Sequence, residues 1–127
     1  VTRATLPTNL VTAPATTFHT FNTTSGLNLS ALNGGSATIS TEISRSSTST
    51  LKCVSNGASL MEVRKTAAFS MPGRKMGIWV YVPDYTAISS FLLYVGSSGF
   101  AAFSNFTYSF ASTDKQYNGW HFIDTQP

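Results

Sequence analysis

Few residues in this chain could transfer protons. Five carboxylates and two histidines occur in 127 residues, so the acid and base pair of a glycosidase is arithmetically possible. Asp84 follows a proline and Asp114 lies in a polar loop, so we expect both in turns. His19 and His121 lie in aromatic strand-like segments, where we expect hydrogen-bonded structural histidines. Since no nucleophile elbow, phosphate loop or zinc-protease motif occurs, we predict no catalytic residues.

The single cysteine, Cys53, excludes an internal disulfide and any metal site with several cysteine ligands. Alternation in "TLKCVS" places Cys53 on the same face as Leu51, and no histidine or helix start lies nearby to activate the thiol. We therefore expect an inert thiol in the core. No metal site and no cofactor are predicted, because calcium needs closely spaced carboxylates. The acidic residues are Glu42, Glu62, Asp84, Asp114 and Asp124.

The segment "KMGIWVYV", residues 75–82, predicts a strand with two different faces, because side chains alternate along a strand. One face is aliphatic and consists of Met76, Ile78, Val80 and Val82. The other consists of Gly77, Trp79 and Tyr81. Two interpretations of these rings are open: a loop or terminal arm covers them, or they form an open platform that stacks on sugar rings.

The same alternation recurs in later segments. In "FTYSF", the rings of Phe106, Tyr108 and Phe110 share one face. In "GWHFID", Trp120 and Phe122 share one face, and His121 and Ile123 share the other. At 13% aromatic residues the chain has more rings than a core of this size needs, which favours a ligand platform or a protein interface.

Basic residues gather around one predicted turn. Arg64 and Lys65 end one predicted strand, and Arg74 and Lys75 begin the next, so a hairpin through "TAAFSMPG" would bring four cations to one end of a sheet. Such a cluster could hold an acidic polysaccharide or a phosphate, or it could simply keep a sheet edge soluble. The predicted ligand-binding residues are Trp79, Tyr81, Arg64, Lys65, Arg74 and Lys75.

The composition favours an all-β protein. Hydrophobic residues make up 42% of the chain but charged residues only 10%, against roughly 25% in typical soluble domains. Serine and threonine take the place of the charges, and threonine suits a pleated backbone. The formal charge of +3 comes from scarce acidic residues and not from abundant basic ones, so we expect no nucleic-acid partner. No run of 18 apolar residues occurs, so we expect no membrane span.

The chain changes character near residue 50. Residues 1–50 predict an extended polar arm with loops, short strands and no helix, including the turn "NGGS" and the strand "ATISTEI". Residues 51–127 predict strands separated by turns, which is typical of an antiparallel sandwich. We expect both parts to form one domain and the chain to be part of a longer polypeptide. The predicted strands are "TLKCVS", "SLMEVRK", "KMGIWVYV", "ISSFLLYVG", "FAAFSNFTYSF" and "GWHFID".

The segment "GIWVYVPDYTAISSFLLYVG", followed further along by "GWHFI", resembles jelly-roll carbohydrate-binding and lectin-like modules. Such modules occur in phage tail spikes, tail-fibre hydrolases and secreted polysaccharide-degrading enzymes. The resemblance covers Leu51 to Ile123 and concerns the strand pattern, not a catalytic signature. It implies an all-β, jelly-roll, lectin-like antiparallel β-sandwich. Such modules have further strands after the Gly-Trp strand, so a segment beyond Pro127 or another subunit would complete the sandwich.

The resemblance implies a non-catalytic carbohydrate-binding or structural module of a phage tail spike or tail fibre. Its location would be the virion tail or the extracellular space, and the parent polypeptide would be a polysaccharide lyase or hydrolase. Its partners would be a bacterial surface polysaccharide, acidic if the cations take part, and other copies of the chain, three in a tail spike. Two alternatives stay open: an accessory module of a secreted polysaccharide-active enzyme, and a purely structural oligomerisation domain.

Overall fold

The computed structural model describes residues 17–69, 74–97 and 103–125. The chain divides into two compact units between Thr66 and Ala67. The sequence-based boundary between residues 50 and 51 falls within a strand of the first unit. The expected union of the two parts in one domain stays a prediction. Residues 1–16 of the expected arm, and most of the predicted turns "SMPGR" and "GSSG", lie outside the described residues.

The described secondary structure is almost entirely antiparallel β-strand, which confirms the predicted all-β class. Its helical segments are two 3₁₀ turns of three residues each, Tyr85–Ala87 and Thr113–Lys115. No described helix has the length and apolar character needed to span a lipid bilayer. The strands are β1 (Leu27–Asn28), β2 (Ser36–Ser40), β3 (Thr50–Val54), β4 (Arg64–Lys65), β5 (Gly77–Val82), β6 (Ser90–Gly96), β7 (Phe103–Ser109) and β8 (Gly119–Asp124).

In the first unit β1 pairs with β4, and β2 pairs with β3. The predicted "NGGS" turn precedes β2, where the Gly35 amide donates to the Leu32 carbonyl at 2.9 Å. Asn33 and Gly34 both have positive φ, 50° and 85°, as a type I′ turn requires. The Asn56 side-chain amide donates to the Asn33 carbonyl at 2.8 Å and ties this turn to a later loop. The sequence prediction of a turn at this position is confirmed.

The β2–β3 hairpin is open to solvent at its Cys53 end. Burial falls along β3 from half-buried Thr50 and Leu51 to exposed Lys52 and Cys53. The expectation of a core thiol is therefore wrong: Cys53 is on the exposed end of β3, although Ala37, its register partner on β2, is buried. Partial desolvation still raises the pKa of the Cys53 thiol, which keeps it protonated at neutral pH.

In the second unit β5 pairs with β8, and β6 pairs with β7. Backbone hydrogen bonds extend both ribbons beyond their strands: the Thr125 amide donates to the Met76 carbonyl at 2.9 Å, and the Phe110 amide donates to the Ser89 carbonyl at 3.0 Å. The predicted hairpin between β4 and β5 is wrong. β4 is only two residues long and pairs with β1, while all six residues of β5 pair in register with β8.

His121 joins the two ribbons of the second unit. The imidazole ring of His121 is completely buried. Its Nδ1 accepts a hydrogen bond from the Tyr108 hydroxyl at 2.8 Å, and its Nε2 donates one to the Tyr117 carbonyl at 2.9 Å. The Tyr117 ring stacks on it at 3.9 Å between centroids, and the Phe110 ring meets it edge-on. Desolvation, with Tyr117 nearby, raises the pKa of Tyr108 to about 12. The prediction of a hydrogen-bonded structural histidine is confirmed here.

His19, in the first unit, also has a structural role. Its Nδ1 accepts from the Phe21 amide at 2.8 Å, and its Nε2 donates to the Ser25 carbonyl at 2.9 Å. A ring nitrogen that accepts a backbone amide carries no proton, so both contacts fix the neutral Nε2–H tautomer. The sequence prediction for His19 is therefore confirmed as well.

Candidate functional site

One face of the β5–β8 ribbon carries four aromatic rings, Trp79, Tyr81, Trp120 and Phe122, which we call the aromatic face. Trp79 lies opposite Phe122, and Tyr81 lies opposite Trp120. Their ring centroids are 5.1 Å and 5.3 Å apart, respectively. Alternation within each strand puts the rings on one side, and the register of the ribbon makes them neighbours.

The aromatic face is largely exposed. Phe122 is 50% exposed, Trp79 is 43% exposed and Tyr81 is 37% exposed, whereas Trp120 is half-buried. Among the described residues these rings are thus largely exposed, and the choice between an open platform and rings covered by a terminal arm stays a prediction, because residues 1–16 lie outside the described residues. Large apolar rings that stay in water in adjacent positions are the usual mark of a binding surface.

The opposite face of the same ribbon holds these rings in place. Val82 and Ile123 are buried there beside His121, with exposed fractions of 4% and 1% for the two aliphatic side chains. Ile78 and Val80 on this face are half-buried, so the predicted aliphatic face of β5 is confirmed. A ribbon anchored on one side presents the rings of its other side on a firm backbone.

Charged residues lie at one end of the aromatic face. Asp124 pairs with Gly77 and is two residues from Phe122, so it belongs to the same side of β8. Lys75 is two residues before Gly77 and is exposed, as is Arg74. Hydroxyl and carboxylate groups of a ligand would therefore meet both signs of charge at this end.

The four predicted cations belong to different units. Arg64 and Lys65 form β4 of the first unit, and Arg74 and Lys75 precede β5 of the second. Arg64 donates from Nε and Nη2 to the Glu62 carboxylate at 2.9 Å and 2.6 Å. The hairpin that would have joined these two pairs does not form.

The carboxylates considered for acid–base chemistry lie in turns, as predicted. Asp84 accepts from the hydroxyl and the amide of Thr86 at 2.6 Å and 3.0 Å, and these bonds lower the pKa of Asp84. Asp114 lies in the second 3₁₀ turn and contacts Lys115 at 3.2 Å. A depressed pKa keeps Asp84 ionised, which suits a turn cap and not a general acid.

A second surface feature is a groove of about 500 Å³ between residues 67–69 and the end of the β6–β7 ribbon. Phe69, Val95 and Phe106 line it together with small residues, and none of the described lining residues is charged. It therefore offers apolar contact and few groups to orient a polar ligand.

Sequence reasoning missed Trp120 and Phe122 as members of the site. Their alternation with His121 placed them together on β8, but only the pairing of β8 with β5 places them beside Trp79 and Tyr81. The signal was present as two strands, each with rings at alternate positions, "WVY" and "WHF". Two such strands in register would produce a four-ring face.

The chain matches no protein-family model, no curated protein and no solved structure with which it was compared. Within the described ranges, no group of three or more His, Cys, Asp or Glu side chains is placed to hold a metal ion.

Proposed function

We propose that this chain is a non-catalytic carbohydrate-binding module whose aromatic face stacks on the sugar rings of a polysaccharide. The observation that supports this is the set of four adjacent rings, three of them exposed, on a ribbon anchored by its other face. Planar rings give a large contact area at low cost in conformational entropy, and their faces attract the C–H groups of a sugar. A polysaccharide suits such a surface, because its hydroxyl groups are polar while the faces of its sugar rings carry apolar C–H groups.

We further propose the setting that the strand pattern resembles: a jelly-roll, lectin-like sandwich in a phage tail spike or tail fibre, in the virion tail or outside the cell. The hydroxyl-rich, charge-poor composition supports this setting. So does the pairing of all described strands two by two, because isolated two-stranded ribbons are marginally stable and leave their edges unpaired. Further strands from the same polypeptide or from other subunits, three copies in a tail spike, would complete the sheets.

The polysaccharide is acidic in this proposal if the predicted cations contribute. Arg74 and Lys75 are exposed at the start of β5, beside the aromatic face, and Arg64 and Lys65 are half-buried on β4. Attraction between exposed charges is screened by salt, so an acidic glycan should lose affinity at high ionic strength while a neutral one should not.

A second candidate function uses the same rings. Phe122 is half exposed, and a purely structural oligomerisation domain would cover such rings with another subunit. A carbohydrate-binding module and an oligomerisation domain differ in what displaces water from the aromatic face: a glycan in the first case, a second protein chain in the second. An accessory module of a secreted enzyme would bind a glycan in the same way.

The test compares Trp79→Ala with Phe69→Ala, a matched control. Phe69 is 42% exposed against 43% for Trp79, and it lines the groove, to which none of the four rings of the aromatic face contributes. Neutral and acidic capsule oligosaccharides are titrated calorimetrically into each protein at low and high salt. We expect Trp79→Ala to lose binding and Phe69→Ala to keep it. If only Phe69→Ala loses glycan binding, the binding site is the groove and not the aromatic face. If the wild type binds no glycan and sedimentation shows that Trp79→Ala dissociates an oligomer, the structural function replaces this one.

A further inference from the structure

The ring of Phe122 lies across Gly77 of the neighbouring strand. A Cβ atom added to Gly77 would overlap Cζ of Phe122 and would lie 2.9 Å from its Cε2 and 3.3 Å from its Cε1. The residue directly opposite Gly77 is Asp124, and the residue opposite Phe122 is Trp79. The Phe122 ring therefore reaches Gly77 diagonally across the two strands. Aromatic side chains can span such a diagonal, and here the missing side chain of glycine makes the space.

The two halves of the aromatic face differ in how much ring surface they leave for a ligand. Trp79 and Phe122 are tilted by 48° and are the two most exposed rings of the face. Tyr81 and Trp120 meet at 72°, so the edge of one ring covers part of the face of the other, and Trp120 is half-buried. Stacking needs solvent-exposed ring surface, so the half with Trp79 and Phe122, which are 43% and 50% exposed, is the better sugar site.

We infer that Trp79 and Phe122 form the principal sugar subsite and that Gly77 is the positioning residue that lets the Phe122 ring lie over the strand. This inference rests on the proposed carbohydrate-binding function. The ligand class is a glycan whose pyranose units carry C–H groups on one ring face, because that face provides the apolar contact. Tyr81 and Trp120 lie two residues further along the strands, roughly 7 Å away, and contact the neighbouring unit.

The role of Gly77 can be tested by a substitution that should leave the fold intact. Its φ lies outside the left-handed region, so alanine fits the backbone there without strain. The atoms that a methyl group would meet are the far end of an exposed side chain, which can swing into solvent. Gly77→Ala should therefore displace the Phe122 ring and leave the strands paired.

The experiment measures the Kd for the capsule oligosaccharide that the wild type binds in calorimetry. We expect Gly77→Ala to raise Kd about tenfold, with an unchanged or higher denaturant midpoint. Phe122→Leu keeps apolar bulk but removes the ring plane, and should raise Kd similarly. In a Phe122→Ala background, Gly77→Ala should have no further effect, because its effect passes through that ring.

Two results would overturn the inference while the proposed function stands: wild-type Kd in both Gly77→Ala and Phe122→Leu, or a further loss when Gly77→Ala is added to Phe122→Ala. In either case Trp79→Ala would still abolish glycan binding. If the wild type binds none of the oligosaccharides, both the proposed function and this inference fail.

Discussion

The two faces of the β5–β8 ribbon are built from the same two strands and have opposite properties. The inner face buries Val82, His121 and Ile123, whereas the outer face exposes Trp79 and Phe122. Within the described residues every buried side-chain nitrogen or oxygen has a hydrogen-bond partner, His121 included. The contrast shows that a high number of aromatic residues does not by itself identify a core. The face with the aliphatic residues and His121 stabilises the fold, and the aromatic face is available to contact a ligand or another chain.

The contrast predicts different costs of substitution on the two faces. Removing a buried side chain loses its transfer free energy and leaves a cavity, while removing an exposed one loses mainly local contacts. The inner face should therefore control stability, and the aromatic face should control binding. Four measurements test this division.

The largest effect is expected for Ile123→Ala on the inner face. Ile123 is 1% exposed, so its truncation should lower the free energy of unfolding by about 2–5 kcal/mol. Ile78→Ala, at a half-buried position across the ribbon, should cost less. Denaturant titration measures both, and a cost below about 1 kcal/mol for Ile123→Ala would contradict the assignment of the faces.

The next effect concerns His121. His121→Leu leaves the Tyr108 hydroxyl and the Tyr117 carbonyl without their partner and should cost about 1–3 kcal/mol in the free energy of unfolding. His19→Leu is the control, since both hydrogen bonds described for His19 join it to its own turn, and it should cost less. Equal costs for the two variants would show that His121 does not join the ribbons.

The third effect is a pH dependence at Tyr108. Its pKa is raised from 10.0 to about 12, chiefly by desolvation, so the folded state holds this proton more tightly than the unfolded state does. The resulting stability is fully present below about pH 10 and is lost as the pH rises through about 12. Absorbance titration of the phenolates should show one late-ionising tyrosine that is missing in Tyr108→Phe. Ionisation of all tyrosines near their ordinary pKa would refute the desolvated site.

The smallest effect on stability is expected on the aromatic face. Trp79 is 43% exposed, so Trp79→Ala should cost about 1 kcal/mol or less in the free energy of unfolding, although it should abolish glycan binding. A cost of about 3–5 kcal/mol would instead place this ring in a core and remove the contrast between the faces.

Several features followed from the sequence because they are local. The turn at Asn33 and Gly34 was visible because these residues tolerate positive φ, and Asp84 was recognised as a turn residue because it caps the backbone after a proline. The long segment "SLMEVRK" was overestimated: only Arg64 and Lys65 are in a strand, since a strand exists only where a partner strand extends beside it.

The sequence by itself determined which side chains share a face, because alternation is a property of any extended backbone. It thus separated Trp79 and Tyr81 from the aliphatic side of β5, and Phe122 from His121 on β8. Only the tertiary structure decided that β5 pairs with β8 and not with β4, that the four rings therefore meet, and that three of them stay exposed. Pairing and exposure depend on residues distant in the chain, and no local pattern carries that information.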